Sequence, residues 1–166
     1  MRPSLLLVPL LLSCSACDGA PAGAGDQNSR GASGTPVVLT TFYQTTFFAE
    51  RIAGDLVDVR CPLPADADPI TWKPSAEDIA AYQAADLVIT NGARLEKWIG
   101  QVSLPSSRIV RSAAGFRSQW IRVVETTHSH GPGGEHSHFG HDGHTWMDPQ
   151  LAILQGRAIT DALIRL

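Results

Sequence analysis

All six histidines of the chain fall between His128 and His144. In that stretch His128, His130, His136, His138, His141 and His144 are interleaved with glycines and with Glu135 and Asp142. Imidazole nitrogen suits zinc, copper, nickel and iron, and it must be neutral to coordinate. Metal capture that weakens as pH falls through the imidazole range is therefore the chemistry these residues offer. The glycine content leaves the segment without preorganisation, so each binding event carries an ordering cost and capture is loose and adjustable. The alternative is a polar low-complexity insert with incidental metal affinity.

His144 stands apart from the other five because of its C-terminal neighbours. Trp146-Met147-Asp148-Pro149 precedes an apolar stripe of Leu151, Leu154, Ala158 and Ala162. Asp148 as N-cap and Pro149 at the first helical position mark the start of a helix over residues 149–166. A ligand at the entry to a rigid helix can hold a defined geometry, although a lone histidine there can equally be a packing or capping residue. Other site chemistries lack their residues: there is no His-Glu-x-x-His pair, no Gly-x-Ser-x-Gly elbow and no phosphate-cradling glycine loop. The reading is accordingly not an enzyme.

The elements that must position these residues begin at residue 36. Val37-Val38-Leu39-Thr40 reads as a strand, and Phe48, Ala49, Ile52 and Ala53 come after it at helical spacing with Gly54 as C-cap. The alternation over residues 56–61 predicts a second strand, and Pro62, Pro64 and Pro69 open a loop. Ser75 with Asp78 three residues on predicts a capped helix carrying Ile79, Tyr82 and Ala85 on one side. Leu87-Val88-Ile89-Thr90 is a third strand ended by Asn91-Gly92, residues 94–99 a short helix, and Ile109-Val110 the start of a fourth strand. Strands separated by helices imply parallel pairing with right-handed crossovers, hence an α/β fold with a sheet of about four strands flanked by helices. Ligands in such sheets gather beyond the carboxyl ends of the strands. That singles out residues 41–45, 61–73, 91–93 and the segment after 124.

The N-terminus reads as an address. Residues 1–4 carry one positive charge and residues 5–12 are apolar, too short for the roughly 20 residues of a membrane span. They match the core of a secretory signal over residues 1–17. Leu11-Leu12-Ser13-Cys14 has the form of a lipobox, with Cys14 as the lipid attachment site and Cys17 as its competitor. The Cys14-x-x-Cys17 spacing lacks the strand and helix that a redox motif requires. Residues 18–35 are mostly Gly, Ala, Ser, Asp, Asn and Pro without an aliphatic pattern, a flexible linker between anchor and folded lobe. Cys61 is either a small buried side chain or the partner of whichever N-terminal thiol is unmodified.

Composition narrows the partners. The 166 residues are 43% hydrophobic and 17% charged, enough for one packed core. With 13 basic against 16 acidic residues and a net charge of -3, the chain lacks the focused basic surface of a nucleic-acid binder.

Ala85-Asp86-Leu87-Val88-Ile89-Thr90-Asn91-Gly92, Leu95-Glu96-Lys97-Trp98, the His-rich segment over residues 126–144 and His144-Thr145-Trp146-Met147-Asp148-Pro149 together resemble the zinc and manganese solute-binding proteins of bacterial ABC importers. The resemblance runs over residues 36–166 and covers the N-terminal lobe of that family. It implies one lobe of a two-lobed, extracytoplasmic receptor, lipid-anchored in the periplasm or at the cell surface. Such a receptor captures zinc, or manganese or another divalent transition metal, for a membrane permease. His144 matches the family's second histidine ligand. The first would stand in Asp68-Pro69-Ile70-Thr71-Trp72-Lys73-Pro74-Ser75, where Ile70 replaces the imidazole. The remaining ligands belong to a second lobe, so either the His-rich segment supplies replacements, or the site is altered, or the chain is a piece of a longer receptor; the helix reaching Leu166 in mid-pattern fits the last, with a natural short helix as the alternative. The competing function is a surface-attached zinc scavenger or metallochaperone that is not coupled to transport.

Overall fold

The computed structural model describes residues 34–123 and 140–166. Four parallel strands form the sheet: β1 (Val37–Thr40), β2 (Asp58–Arg60), β3 (Leu87–Thr90) and β4 (Ile109–Arg111), in spatial order β2-β1-β3-β4. Three α-helices flank it: α1 (Tyr43–Ala53), α2 (Ala76–Ala84) and α3 (Pro149–Ile164). The register places Val38 beside both Val59 and Leu87, and Ile89 beside Val110. Side chains alternate across the sheet. Val38, Leu87 and Ile89 pack with Ala49 of α1 and with Ile159 and Ala162 of α3 on one face. Leu39 and Val88 pack with Tyr82 of α2, Ala85 and Trp98 on the other. Every residue of β3 is buried, as a central strand covered by helices on both faces must be.

Local chemistry accounts for the helix ends. Ser75 Oγ accepts from the Asp78 N–H at 3.1 Å while the Asp78 carboxylate accepts from the Ser75 N–H at 2.8 Å, a reciprocal cap for α2. Asp148 Oδ1 accepts from the Gln150 N–H at 2.8 Å ahead of Pro149, which has no N–H to satisfy. Gly54 closes α1 with φ of 53°, a left-handed conformation in which glycine carries no Cβ penalty. Across the α2 face Tyr82 donates its hydroxyl to the Thr40 carbonyl at 2.9 Å, and burial pushes its phenol well above the ordinary range, so it stays a donor. Trp72 and Tyr82 flank Trp98 at ring-centroid distances of 5.7 and 5.0 Å.

Several expectations change. The second strand is confined to Asp58–Arg60, because Gly54–Leu56 forms a 3₁₀ turn that leaves Leu56 exposed. Residues 41–45 are mostly the first turn of α1, entered through Thr45 Oγ1 and Thr46 Oγ1 donating to the Phe42 carbonyl. The short helix over residues 94–99 is instead a 3₁₀ turn at Lys97–Gln101, after a left-handed stretch that no α-helix can contain. In α3 the buried positions are Leu151, Gln155, Ile159 and Ala162, and the helix ends at Ile164. Leu154 and Ala158 are only half-buried. The stripe is rotated because Gln155, a residue that pattern reading places in solvent, turns into a polar network. A small second sheet, β5 (Arg122–Val123) antiparallel to β6 (Gly140–His141), pairs Arg122 with His141. His141 is thus a strand residue and does not belong to a loose His-rich loop.

Candidate metal centre

The chain runs off β3 into the strongest local constraint in the lobe. Gly92, Ala93 and Arg94 take φ of 76°, 49° and 64° in succession, and two of them carry the left-handed penalty of a Cβ. Glu96 holds this turn. Its Oε1 accepts from the Asn91 N–H at 2.7 Å and from the Thr41 hydroxyl at 2.6 Å, and Oε2 accepts from the Gly92 N–H at 3.1 Å. Burial raises the Glu96 carboxyl above its ordinary value, and the bonds from Thr41, Asn91 and Gly92 oppose that rise.

Asn91 carries the constraint outward. It is fully buried, and its Nδ2 donates to the carbonyls of Gly92 and Gly143 at 2.9 Å each. Its Oδ1 accepts from Gln155 Nε2 at 2.7 Å and from the Thr145 hydroxyl at 3.2 Å. Gln155 Nε2 also donates to Ser112 Oγ at 2.9 Å. One side chain at the carboxyl end of β3 therefore fixes residues 143 and 145, on either side of His144. Gly143 is required by the close approach: a Cβ there would lie 2.9 Å from Leu95 Cδ1 and 3.3 Å from Leu95 Cα.

His144 sits at the entry to the Thr145–Met147 turn that leads into α3. Its side chain is 51% exposed. Asp142 Oδ1 accepts from the His144 N–H at 2.9 Å and lies 2.6 Å from its Nδ1. Those contacts, the backbone one foremost, hold the Asp142 carboxyl below its ordinary value. The imidazole packs against Trp146 at 5.2 Å with the ring planes tilted by 56°, and Trp146 packs at 4.9 Å on Phe42. Among the described residues His144 lines three cavities, two of which also reach the facing wall. One, of about 410 Å³, brings it together with Phe42, Cys61, Asp68, Ile70 and Trp146. The other, of about 570 Å³, brings it together with Arg94, Glu96, His141 and Asp142.

The facing wall is poorer in donors. Ile70 lines both cavities with His144, so the residue at the expected imidazole position is near the site but has an aliphatic side chain. Asp68 is engaged locally, its Oδ1 accepting from the Ile70 N–H at 2.8 Å. Cys61 is a half-buried free thiol. His141 is held on β6 with its ring edge-on to Trp120 at 5.3 Å. Among the described residues no group of three or more His, Cys, Asp or Glu side chains could hold a metal ion. His128, His130, His136 and His138 lie outside the described residues, as do Cys14 and Cys17.

Sequence reasoning placed Asn91, Asp142 and Gly143 in segments at the ligand edge without giving any of them a role, and it passed over Glu96 and Gln155 as parts of the site. The signals available were an Asp two residues before a candidate ligand, an Asn ending a fully apolar strand, and a Gln set four residues after Leu151.

Comparison with known proteins identifies what the chain resembles. A family model described as the periplasmic component A of the zinc-uptake complex matches residues 38–166. The zinc-binding lipoprotein AdcA of Streptococcus pneumoniae is 29% identical over 141 residues, covering 82% of this chain and 28% of that protein. The high-affinity zinc uptake system protein ZnuA of Bacillus subtilis is 29% identical over 163 residues, covering 93% of this chain and 51% of that protein. The solved structure of the periplasmic zinc-binding protein TroA from Treponema pallidum superposes with a TM-score of 0.63 at 25% identity, over 79% of this chain and 44% of that one. The chain therefore spans about half the length, or less, of the proteins it matches.

Proposed function

The chain belongs to the family of the periplasmic zinc-uptake component, and we propose that it is the N-terminal lobe of an extracytoplasmic receptor that captures zinc for an ABC permease. The single observation that carries this reading is the placement of His144. It is an imidazole at the carboxyl edge of a parallel sheet, where such folds bind ligands. It is anchored on both sides by Asn91 and opens onto a cavity of about 410 Å³. A metal taken up here is cargo, so no reaction follows binding. The protein's work is to supply a neutral imidazole in a fixed place and to release the ion to a partner.

The finer assignments belong to the same proposal. Residues 1–17 direct export, Cys14 or Cys17 carries the lipid, and residues 18–35 tether the lobe. His128, His130, His136 and His138 collect metal loosely, and His141, held on β6, adds an imidazole in a cavity it shares with His144. Zinc is the expected ion, with manganese or another divalent transition metal as the competitor, because imidazole sites follow availability as much as intrinsic preference. Ile70 removes one donor from this lobe, so affinity should fall short of a site with a histidine on each wall.

Competition of the full chain against a zinc chelator tests the reading. His144→Ala should remove the tighter component, and deletion of residues 128–141 should remove most of the weaker stoichiometry. Zinc binding unchanged in both variants would overturn it. Unchanged stoichiometry in the deletion alone would make the segment a solvated insert.

A further inference from the structure

We propose that Asp142 is the positioning residue of this centre: its carboxylate holds the His144 ring as the Nδ1–H tautomer, so that Nε2 is the nitrogen offered to a metal. The inference rests on the reading of His144 as a ligand and adds which atom coordinates and what orients it.

The geometry is specific. Oδ1 of Asp142 lies 2.6 Å from His144 Nδ1 and also accepts from the His144 N–H at 2.9 Å. A carboxylate oxygen only accepts, so in the neutral ring the proton of the close contact sits on Nδ1. One oxygen thereby fixes the backbone and the ring of the same residue. Asp142 is itself pinned, its N–H donating to the Ile121 carbonyl at 2.9 Å. The residue between them cannot move away, because Asn91 grips the Gly143 carbonyl and Leu95 leaves no room for a Cβ at 143. Trp146 bounds the ring at 5.2 Å. A carboxylate on the far nitrogen makes the coordinating nitrogen more basic and removes ring rotation before metal arrives, and partners of this kind are typically worth 10–100-fold in metal affinity.

The test uses the full chain, labelled with nitrogen-15, as wild type, Asp142→Ala, Asp142→Asn and His144→Ala. Long-range proton–nitrogen NMR spectra are recorded metal-free at about pH 8, above the ordinary imidazole range. Wild type should show His144 protonated on Nδ1. Asp142→Ala should shift it toward the Nε2–H form, and Asp142→Asn, which keeps an accepting oxygen, should retain Nδ1–H. Zinc competition should then show Asp142→Ala weakened by about 10–100-fold, with Asp142→Asn between it and wild type. A tautomer in Asp142→Ala identical to wild type overturns the proposal whatever zinc does. So does a tight zinc affinity indifferent to Asp142 when His144→Ala removes that tighter component. If His144→Ala binds zinc as wild type does, the receptor reading of His144 fails, and with it the claim about the coordinating nitrogen, even where the tautomer follows Asp142.

Discussion

The two walls that face each other across the His144 cavity are built differently. Behind His144 the wall is a buried polar network, in which Thr41, Glu96, Asn91, Ser112 and Gln155 tie the end of β3 to α3 and to the residues on both sides of the histidine. Across the cavity, residues 61–70 are held by short-range bonds such as Ala67 N–H to the Pro64 carbonyl and Ile70 N–H to Asp68 Oδ1. That wall presents Leu63, Pro64, Ala65 and Ile70. Bonds made in a low dielectric rigidify what they touch, and in this network only the buried Gln155 Oε1 lacks a partner among the described residues, whereas a proline-rich loop closed on itself fixes little beyond its own turns. Positional control is thus concentrated on one side chain. The lobe holds His144 firmly and asks nothing comparable of the opposite side.

The largest effect should come from disrupting the polar wall. Asn91→Ala would orphan the Thr145 hydroxyl, leave Gln155 Nε2 with Ser112 alone, and leave the Gly143 carbonyl with only the Thr145 N–H. At about 1–3 kcal/mol for the orphaned buried group and about 1 kcal/mol for a lost bond, the loss should be roughly 2–3 kcal/mol, read as a lowered urea midpoint. Ile70→Ala, on a half-buried side chain in the locally held wall, should cost about 1 kcal/mol, well below a core truncation. Equal losses from the two variants would erase the contrast.

A smaller effect is expected from adding a donor to the poorer wall. Ile70→His restores an imidazole to a wall that shares both cavities with His144. Each factor of ten in affinity is about 1.4 kcal/mol, and a second donor on a loosely held loop should add about that much, less than a preorganised one would. Zinc competition of this variant against wild type, with His144→Ala added to the same background, measures the gain. No gain would mean that residues 61–70 cannot turn the new ring toward His144.

This asymmetry also explains what could be read from the sequence. The four parallel strands, the caps at Ser75 and Asp148 and the entry of α3 after His144 follow from local patterns: β-branched runs, a side chain reaching its own helix N-terminus, a proline at the first turn. Each is decided within a few residues. The polar network was not legible because its partners are distant. Asn91 meets Gly143, Thr145 and Gln155 across 52, 54 and 64 residues. A Gln inside a helix reads as surface until the Asn that satisfies it is known. The same holds for His141, whose place on β6 depends on Arg122. The left-handed run after Asn91 carries glycine at only one of its three positions, so nothing in the composition announced it. Ile70 was identified at the expected ligand position by resemblance alone, and only the cavity places it with His144.

The smallest effect tests how the polar wall tolerates its one buried acid. Burial raises the Glu96 carboxyl above its ordinary 4.5, against the opposing bonds from Thr41, Asn91 and Gly92. In the unfolded chain the group returns to its ordinary value, so between the two values the folded state binds more protons. By linkage the contribution of Glu96 to stability is fully present below the unfolded value and is lost as pH rises through the folded one. Carboxyls that folding holds low, Asp142 among them, slope the other way, so the raw pH profile of wild type mixes the two signs. The difference between wild type and Glu96→Gln isolates the Glu96 contribution. Gln offers one accepting oxygen to three donors and adds two hydrogens of its own, a penalty that is the same at every pH. Urea midpoints from about pH 4 to pH 7 should therefore show the variant offset downward and closing on wild type as pH rises. A gap that widens with pH would mean that the three donors outweigh burial and that the polar wall holds Glu96 as a stabilised carboxylate.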